Sequence, residues 1–135
     1  MRRAVLDTNV FVSALVTPKG ISAKVIEQMQ TGEVEAIVSP GLLAELESVL
    51  RREKFRRYFD SEAVEAFLEM LRVEATLVPD PSTPAPLRSV DPKDDFLLAL
   101  ASSQKSHLVS GDSDLIELSG GAPIITPGDL LAAPA

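Results

Sequence analysis

The run Arg3-Ala4-Val5-Leu6 leads directly into Asp7-Thr8-Asn9, and this junction constrains the fold more than any other stretch. A short apolar run bounded by polar turn residues reads as a buried strand of a parallel sheet. In open α/β sheets ligands bind outside the carboxyl ends of the strands, which is where Asp7, Thr8 and Asn9 fall. If the sheet is parallel, later strands end at the same edge, and acidic residues placed there converge on Asp7.

The rest of the chain alternates in the manner such a sheet requires. Asn9 to about Leu15 is apolar with small residues and reads as a helix, broken by Thr17-Pro18-Lys19-Gly20. Ser22 is the expected cap of a second helix, with Val25, Ile26 and Met29 on one face and Gly32 at its end. Residues 35–39 form a second strand. Ser39-Pro40 opens a third helix with the stripe Leu42, Leu43, Leu46, Val49 and Leu50, flanked by Glu45 on one side and Glu47 on the other. That helix is expected to end in Arg51, Arg52, Lys54, Arg56 and Arg57, interleaved with Phe55, Tyr58 and Phe59. Asp60 or Ser61 caps a fourth helix, and residues 75–78 form a third strand. Five prolines between 79 and 92 make a stiff extended loop. Asp91-Pro92 repeats the cap-plus-proline start, and the helix that follows is apolar all round and therefore buried. Residues 107–110 and 123–126 supply the fourth and fifth strands, with a helical turn at 115–118 between them and a short helix after Pro127. Strands alternating with helices give a parallel sheet covered on both faces, a three-layer α/β/α sandwich with four to five strands.

Composition narrows the class. At 135 residues, a single domain spanning 1–135 is expected. No run is long enough to cross a bilayer, and the first residues lead into a strand rather than a signal peptide. Without cysteine there is no thiol nucleophile and no thiolate metal site, and a cytoplasmic location is the simplest expectation. The net charge of −7 argues against a protein that coats nucleic acid. It leaves room for an enzyme that meets a phosphate chain through metal ions, since divalent cations offset the repulsion of clustered carboxylates.

Taken singly, each acidic position has an ordinary explanation. Asp7 is a turn or cap residue, Glu45 a solvated boundary residue, and Asp114 a cap before Leu115. Asp91 and Asp94 complement the start of a helix, but capping does not require Asp95. A carboxylate entering the apolar side of a buried helix is costly unless paired or bound to a cation. Asp112 follows the fourth strand at its carboxyl end. Together these positions share one sheet edge, and hard oxygen ligands without cysteine or supporting histidine select Mg²⁺ or Mn²⁺. Two such ions activate water and stabilise the leaving oxygen of a phosphodiester. His107, the one histidine, starts a strand and reads as structural, and no glycine pattern marks a nucleotide-binding loop.

The blocks Val5-Leu6-Asp7-Thr8-Asn9-Val10, the Leu-rich helix with Glu45, Asp91-Pro92-Lys93-Asp94-Asp95-Phe96-Leu97-Leu98-Ala99-Leu100-Ala101, and Leu108-Val109-Ser110-Gly111-Asp112-Ser113-Asp114-Leu115 resemble the PIN-domain family. They look most like its prokaryotic toxin branch, the VapC-like toxins. The resemblance runs nearly the whole chain in order. It implies a metal-dependent endoribonuclease with an acidic site for Mg²⁺ or Mn²⁺. Carried over by position, Asp7, Glu45 and Asp95 are the three core acidic residues and Asp112 the fourth, with Asp7, Asp95 and Asp112 as metal ligands. Asn9, Thr8, Ser110, Asp94 and Asp114 support them. Ser110-Gly111-Asp112 stands where Thr-x-Asp is commoner, which keeps a hydroxyl. The doublet Asp94-Asp95 offers two ligands, and Asp95 is preferred because the apolar run begins immediately after it. The toxin branch also implies an antitoxin protein that inserts into the site, and a homodimer or higher homo-oligomer. Arg51, Arg52, Lys54, Arg56 and Arg57 are candidates to guide an RNA backbone. The alternative is a non-catalytic PIN-like module that binds RNA or protein. A phosphotransfer enzyme with Asp7 as nucleophile is disfavoured, because Asn9 stands where a second aspartate is usual.

Overall fold

The computed structural model describes residues 2–82, 92–111 and 124–132. Asp112, Asp114, Asp91, the expected turn at 115–118 and most of the proline-rich stretch lie outside the described residues.

Strands β1 (Arg2–Leu6), β2 (Val34–Val38), β3 (Thr76–Leu77), β4 (His107–Val109) and β5 (Ile124–Ile125) form one sheet in the order β3-β2-β1-β4-β5. Every neighbouring pair is parallel. Helices α1 (Thr8–Val16), α2 (Ile21–Gln30), α3 (Pro40–Leu50), α4 (Ser61–Glu74), α5 (Pro92–Ser103) and α6 (Pro127–Ala132) flank it, giving the expected α/β/α sandwich. The chain runs outward from β1 through β2 to β3, then returns to lay β4 on the other side of β1. The strand order therefore reverses between β1 and β4, and a crevice opens at their carboxyl ends.

Local chemistry explains most boundaries. Ser39 caps α3, its Oγ accepting from the Leu42 N–H at 3.3 Å, with Pro40 in the first turn. Asp60 caps α4 by accepting from the Ala63 N–H at 2.8 Å. Past the end of α2, Gly32 takes φ +84°, a conformation that side chains disfavour. Two expectations are corrected. Ser22 does not cap α2: the N-cap is Gly20, whose N–H donates to the Thr17 carbonyl and closes the turn early enough for the helix to begin at Ile21. The basic stretch is not the end of α3, which stops at Leu50. It forms a 3₁₀ turn over Glu53–Phe55, where Phe55 and Phe59 stack at 5.7 Å and pack against the core.

The core takes residues from every layer. Leu6, Phe11, Ile37, Leu46, Leu100 and Leu108 are all fully buried, and each contributes roughly 1.5–3 kcal/mol relative to an exposed side chain. Phe11 of α1 meets Phe67 of α4 edge to face, centroids 6.2 Å apart. Residues Leu97 to Ala101 of α5 are buried in succession where the helix packs on β1 and β4. Arg2 ties β1 to α6 and α2, donating to the Leu130 carbonyl at 2.7 Å and the Gln28 Oε1 at 2.8 Å. Among the described residues no helix is long and apolar enough to cross a membrane.

Candidate active site at the reversal of strand order

Register builds the site. Leu6 is paired with Val109, so one further step places Asp7 beside Ser110. The Asp7 N–H donates to the Val109 carbonyl at 2.9 Å, and the Ser110 N–H donates to the Ile125 carbonyl at 3.0 Å, so both residues are held by the extended ladder. Ser110 Oγ donates to Asp7 Oδ2 at 2.8 Å, with Ser110 fully buried and Asp7 4% exposed. Asp7 Oδ1 accepts from the Asn9 N–H and the Thr8 hydroxyl, each at 3.3 Å. Asp7 is thus both the N-cap of α1 and the acidic floor of the crevice. A buried carboxylate in a low dielectric needs such donors, and its remaining lone pairs stay available to a ligand.

A cavity of about 330 Å³ opens beside Asp7. Glu45, Asp94 and Arg52 border it, as do Thr8 and Asn9. Glu45 arrives there because α3 carries Gly41, Glu45 and Val49 at intervals of four, a single stripe facing the cavity. Glu47, on the other flank, turns away and pairs with Arg51 at 3.0 Å.

The preference for Asp95 meets a different placement. Asp94 borders the cavity and is 8% exposed, whereas Asp95 is half-buried and does not border it. The cause is helical phase. Asp94 stands over Leu97, Leu98 and Ala101, the buried face of α5. Asp95 stands over the buried Leu98 and Ala99 and the exposed Ser102, a face that turns toward solvent one turn earlier. Adjacency to an apolar run does not select a face when the run is apolar all round.

The basic run is divided by the fold. Arg51 is taken up by Glu47, Glu65 and Ser61. Lys54 lies over the Phe55 ring and Arg57 over the Tyr58 ring. Arg56 is exposed beside Phe59, away from the cavity. Arg52 alone of the five borders the cavity with the carboxylates, and it is in none of the ion pairs formed among the described residues. His107 is exposed at the amino end of β4, the edge opposite Asp7.

Three residues escaped sequence reasoning. Gly41 and Phe96 border the cavity, and Asp80 accepts from the Gly41 N–H at 2.8 Å. A methyl group on Gly41 would lie 2.9 Å from both Asp80 Oδ1 and Phe96 Cζ. Gly41 is where the loop after β3 and the start of α5 press onto α3. Its position one turn before Glu45 was the available signal.

The donor set is chemically uniform. The side chains that meet at the cavity offer carboxylate, amide and hydroxyl oxygen, with no histidine or cysteine among them. Hard oxygen donors of this kind suit Mg²⁺ or Mn²⁺. Among the described residues no three acidic groups converge closely enough to hold an ion by themselves; the carboxylates surround the cavity without closing on one point.

Known proteins resemble this chain in sequence and in fold. A protein of Methanocaldococcus jannaschii, the uncharacterized protein MJ1680, is 30% identical over 118 residues, covering 86% of this chain and 74% of its own length. The fold superposes with a TM-score of 0.61 on a chain in the crystal structure of VapBC2 from Rickettsia felis bound to a DNA fragment from their promoter, over 92% of this chain and 96% of that one at 15% identity. A family model described as PIN domain matches residues 3–114, which span β1, Glu45 and the start of α5. The chain belongs to the PIN domain family.

Proposed function

We propose that this chain is a metal-dependent endoribonuclease of one PIN-like domain, acting as the toxin of a toxin–antitoxin pair. One observation supports the reading: carboxylates from the end of β1, from α3 and from α5 border one cavity at the reversal of strand order, with Arg52 on its rim. Family membership and the sequence likeness to VapC-like toxins support the same reading.

Asp7, Glu45 and Asp94 are the residues that would hold Mg²⁺ or Mn²⁺, joined by Asp112, whose block follows Ser110. Asp94 takes the place first given to Asp95. When bound, such an ion supplies Lewis-acid polarisation of a phosphoryl oxygen and activation of water at neutral pH. The chain's own contribution is positional. Ser110, Thr8 and the Asn9 N–H fix the Asp7 carboxylate in one orientation. The carboxylates repel a bare phosphate chain, so entry depends on cations, and Arg52 offers a planar set of donors to a phosphate on the rim. An antitoxin that covers the cavity, self-association and a cytoplasmic location follow from the toxin-branch likeness.

Cleavage of a fluorogenic RNA with Mn²⁺, Mg²⁺ or EDTA, with Asp7→Asn in parallel, tests this. Metal-dependent cleavage that the variant loses is the expected result. Cleavage that survives EDTA or Asp7→Asn overturns the site. Heat stability indifferent to Mn²⁺, with no cleavage, favours a non-catalytic binding module.

A further inference from the structure

The Gly41 N–H donates to Asp80 Oδ1 at 2.8 Å, a bond that spans 39 residues of sequence. Ser39 already fills the local cap of α3, so Asp80 reaches this N–H through tertiary packing. A β-carbon on Gly41 would lie 2.9 Å from Asp80 Oδ1 and 2.9 Å from Phe96 Cζ. The connection between β3 and α5 therefore closes on the same residue of α3 from both of its ends. The carboxylates of the cavity stand close by. Glu45 follows Gly41 by one turn on the same face of α3, and Asp94 precedes Phe96 by two residues on α5. Gly41 is thus where α3 meets α5, within about one turn of both carboxylates.

Resting on the metal-dependent reading, we infer that Asp80 is a positioning residue for the ion site. By holding Gly41 against the Phe96 ring, it sets the gap between Glu45 and Asp94, and with it the size of ion that fits there. Asp80 is exposed and is not among the described residues that border the cavity, so it acts through Gly41 and not as a ligand. Ion size makes the role visible. Mg²⁺ demands near-ideal octahedral geometry at about 2.0–2.1 Å, whereas Ca²⁺ accepts oxygen ligands at about 2.3–2.6 Å in variable number. A gap that slackens penalises Mg²⁺ first.

The test titrates the full chain with Mg²⁺ or Ca²⁺ alone and follows its melting temperature. Each affinity is read from the rise above that variant's own melt in EDTA, so a general loss of stability does not mimic the effect. Asp80→Ala is expected to lower Mg²⁺ affinity by about 10- to 100-fold, the usual cost of losing a group that orients ion ligands, and Ca²⁺ affinity by less. Asp80→Asn keeps an oxygen for the Gly41 N–H and is expected to bind Mg²⁺ as the wild type does. Gly41→Ala displaces the Phe96 ring and the Asp80 carboxylate together, and is expected to weaken Mg²⁺ binding in the same way. An Asp80→Ala chain that melts lower in EDTA yet binds both ions like the wild type overturns the inference and leaves Asp80 a brace for the loop. An equal loss for Mg²⁺ and Ca²⁺, or no rescue by Asp80→Asn, overturns it too. Should Asp80→Ala fail to fold, Mg²⁺ binding unchanged in Gly41→Ala overturns it. A wild type that neither ion stabilises fails differently, because it removes the metal-dependent reading itself and the inference with it.

Discussion

Ser110 Oγ donates to Asp7 Oδ2 at 2.8 Å, joining the ends of β4 and β1 across 103 residues of sequence. Both residues are buried, and the bond fixes the carboxylate on which the proposed site depends. Ser110→Ala removes a hydrogen bond to a charged group, which is worth about 1.5–3 kcal/mol. The expected outcome is a lower urea midpoint together with a tenfold to hundredfold loss of RNA cleavage, the usual cost of losing an orienting partner. Ser110→Thr keeps the hydroxyl and is expected to retain most of the activity. Equal activity in Ser110→Ala would show that the bond is structural only.

Asp7, Glu45 and Asp94 border one cavity, so like charges face each other there. Asp7→Asn keeps an oxygen to accept from the Asn9 N–H, and the Ser110 hydroxyl can turn to accept from the new amide. The variant is therefore expected to fold, and in EDTA to melt no lower than the wild type. Its cleavage of RNA is expected to fall at least a hundredfold. A melt in EDTA with and without each variant separates repulsion from lost ligation.

Asp94 and Asp95 are neighbours in sequence that α5 turns to different surroundings. A ligand present at a hundred times its dissociation constant stabilises the state it binds by about 2.7 kcal/mol. The melting temperature of the wild type is expected to rise with Mn²⁺. Asp94→Asn is expected to blunt that rise, and Asp95→Asn to leave it in place. The opposite pattern would restore Asp95 as the ligand.

What the sequence made legible, and what it did not, follows from the reach of each signal. The junction at Asp7 was readable because a strand end and a helix cap are local. Ser39-Pro40 and Gly32 were readable for the same reason. The phase of α5 was not, because Leu97 to Ala101 are apolar and buried in succession and offer no polar position to set the rotation. The start of α2 was misread because the turn from Thr17 to Gly20 does the work of a cap without a side chain. Asp80 and Phe96 were invisible because they meet Gly41 only through tertiary packing.

Phe11 has no exposed surface and meets Phe67 edge to face, linking α1 to α4 beneath the sheet edge that carries the site. Phe11→Ala removes most of a buried ring and leaves a cavity, which costs about 3–5 kcal/mol. A whole domain holds only about 5–15 kcal/mol. The urea midpoint is expected to fall steeply with little change in slope. A loss under 1 kcal/mol would mean that neighbouring side chains close over the gap.

Arg51 and Arg52 are adjacent, yet the fold uses them differently. Arg51 is bound by Glu47 and Glu65, exposed pairs that stabilise by at most about 1 kcal/mol. Arg52 borders the acidic cavity and is in none of the ion pairs formed among the described residues. Removing a side chain that contacts one phosphate weakens binding to all sequences and lowers the salt dependence by about one ion. Arg52→Ala is therefore expected to raise KM for RNA, reduce the slope of log(kcat/KM) against log salt, and leave the melting temperature unchanged. Arg51→Ala is expected to lower the melting temperature slightly and leave the salt slope intact. Measuring both variants across 50 to 200 mM salt, the range over which phosphate contacts are strongly screened, separates a guide for RNA from a brace between helices. If Arg51 moves the slope and Arg52 does not, RNA enters along the 3₁₀ turn rather than over the rim of the cavity.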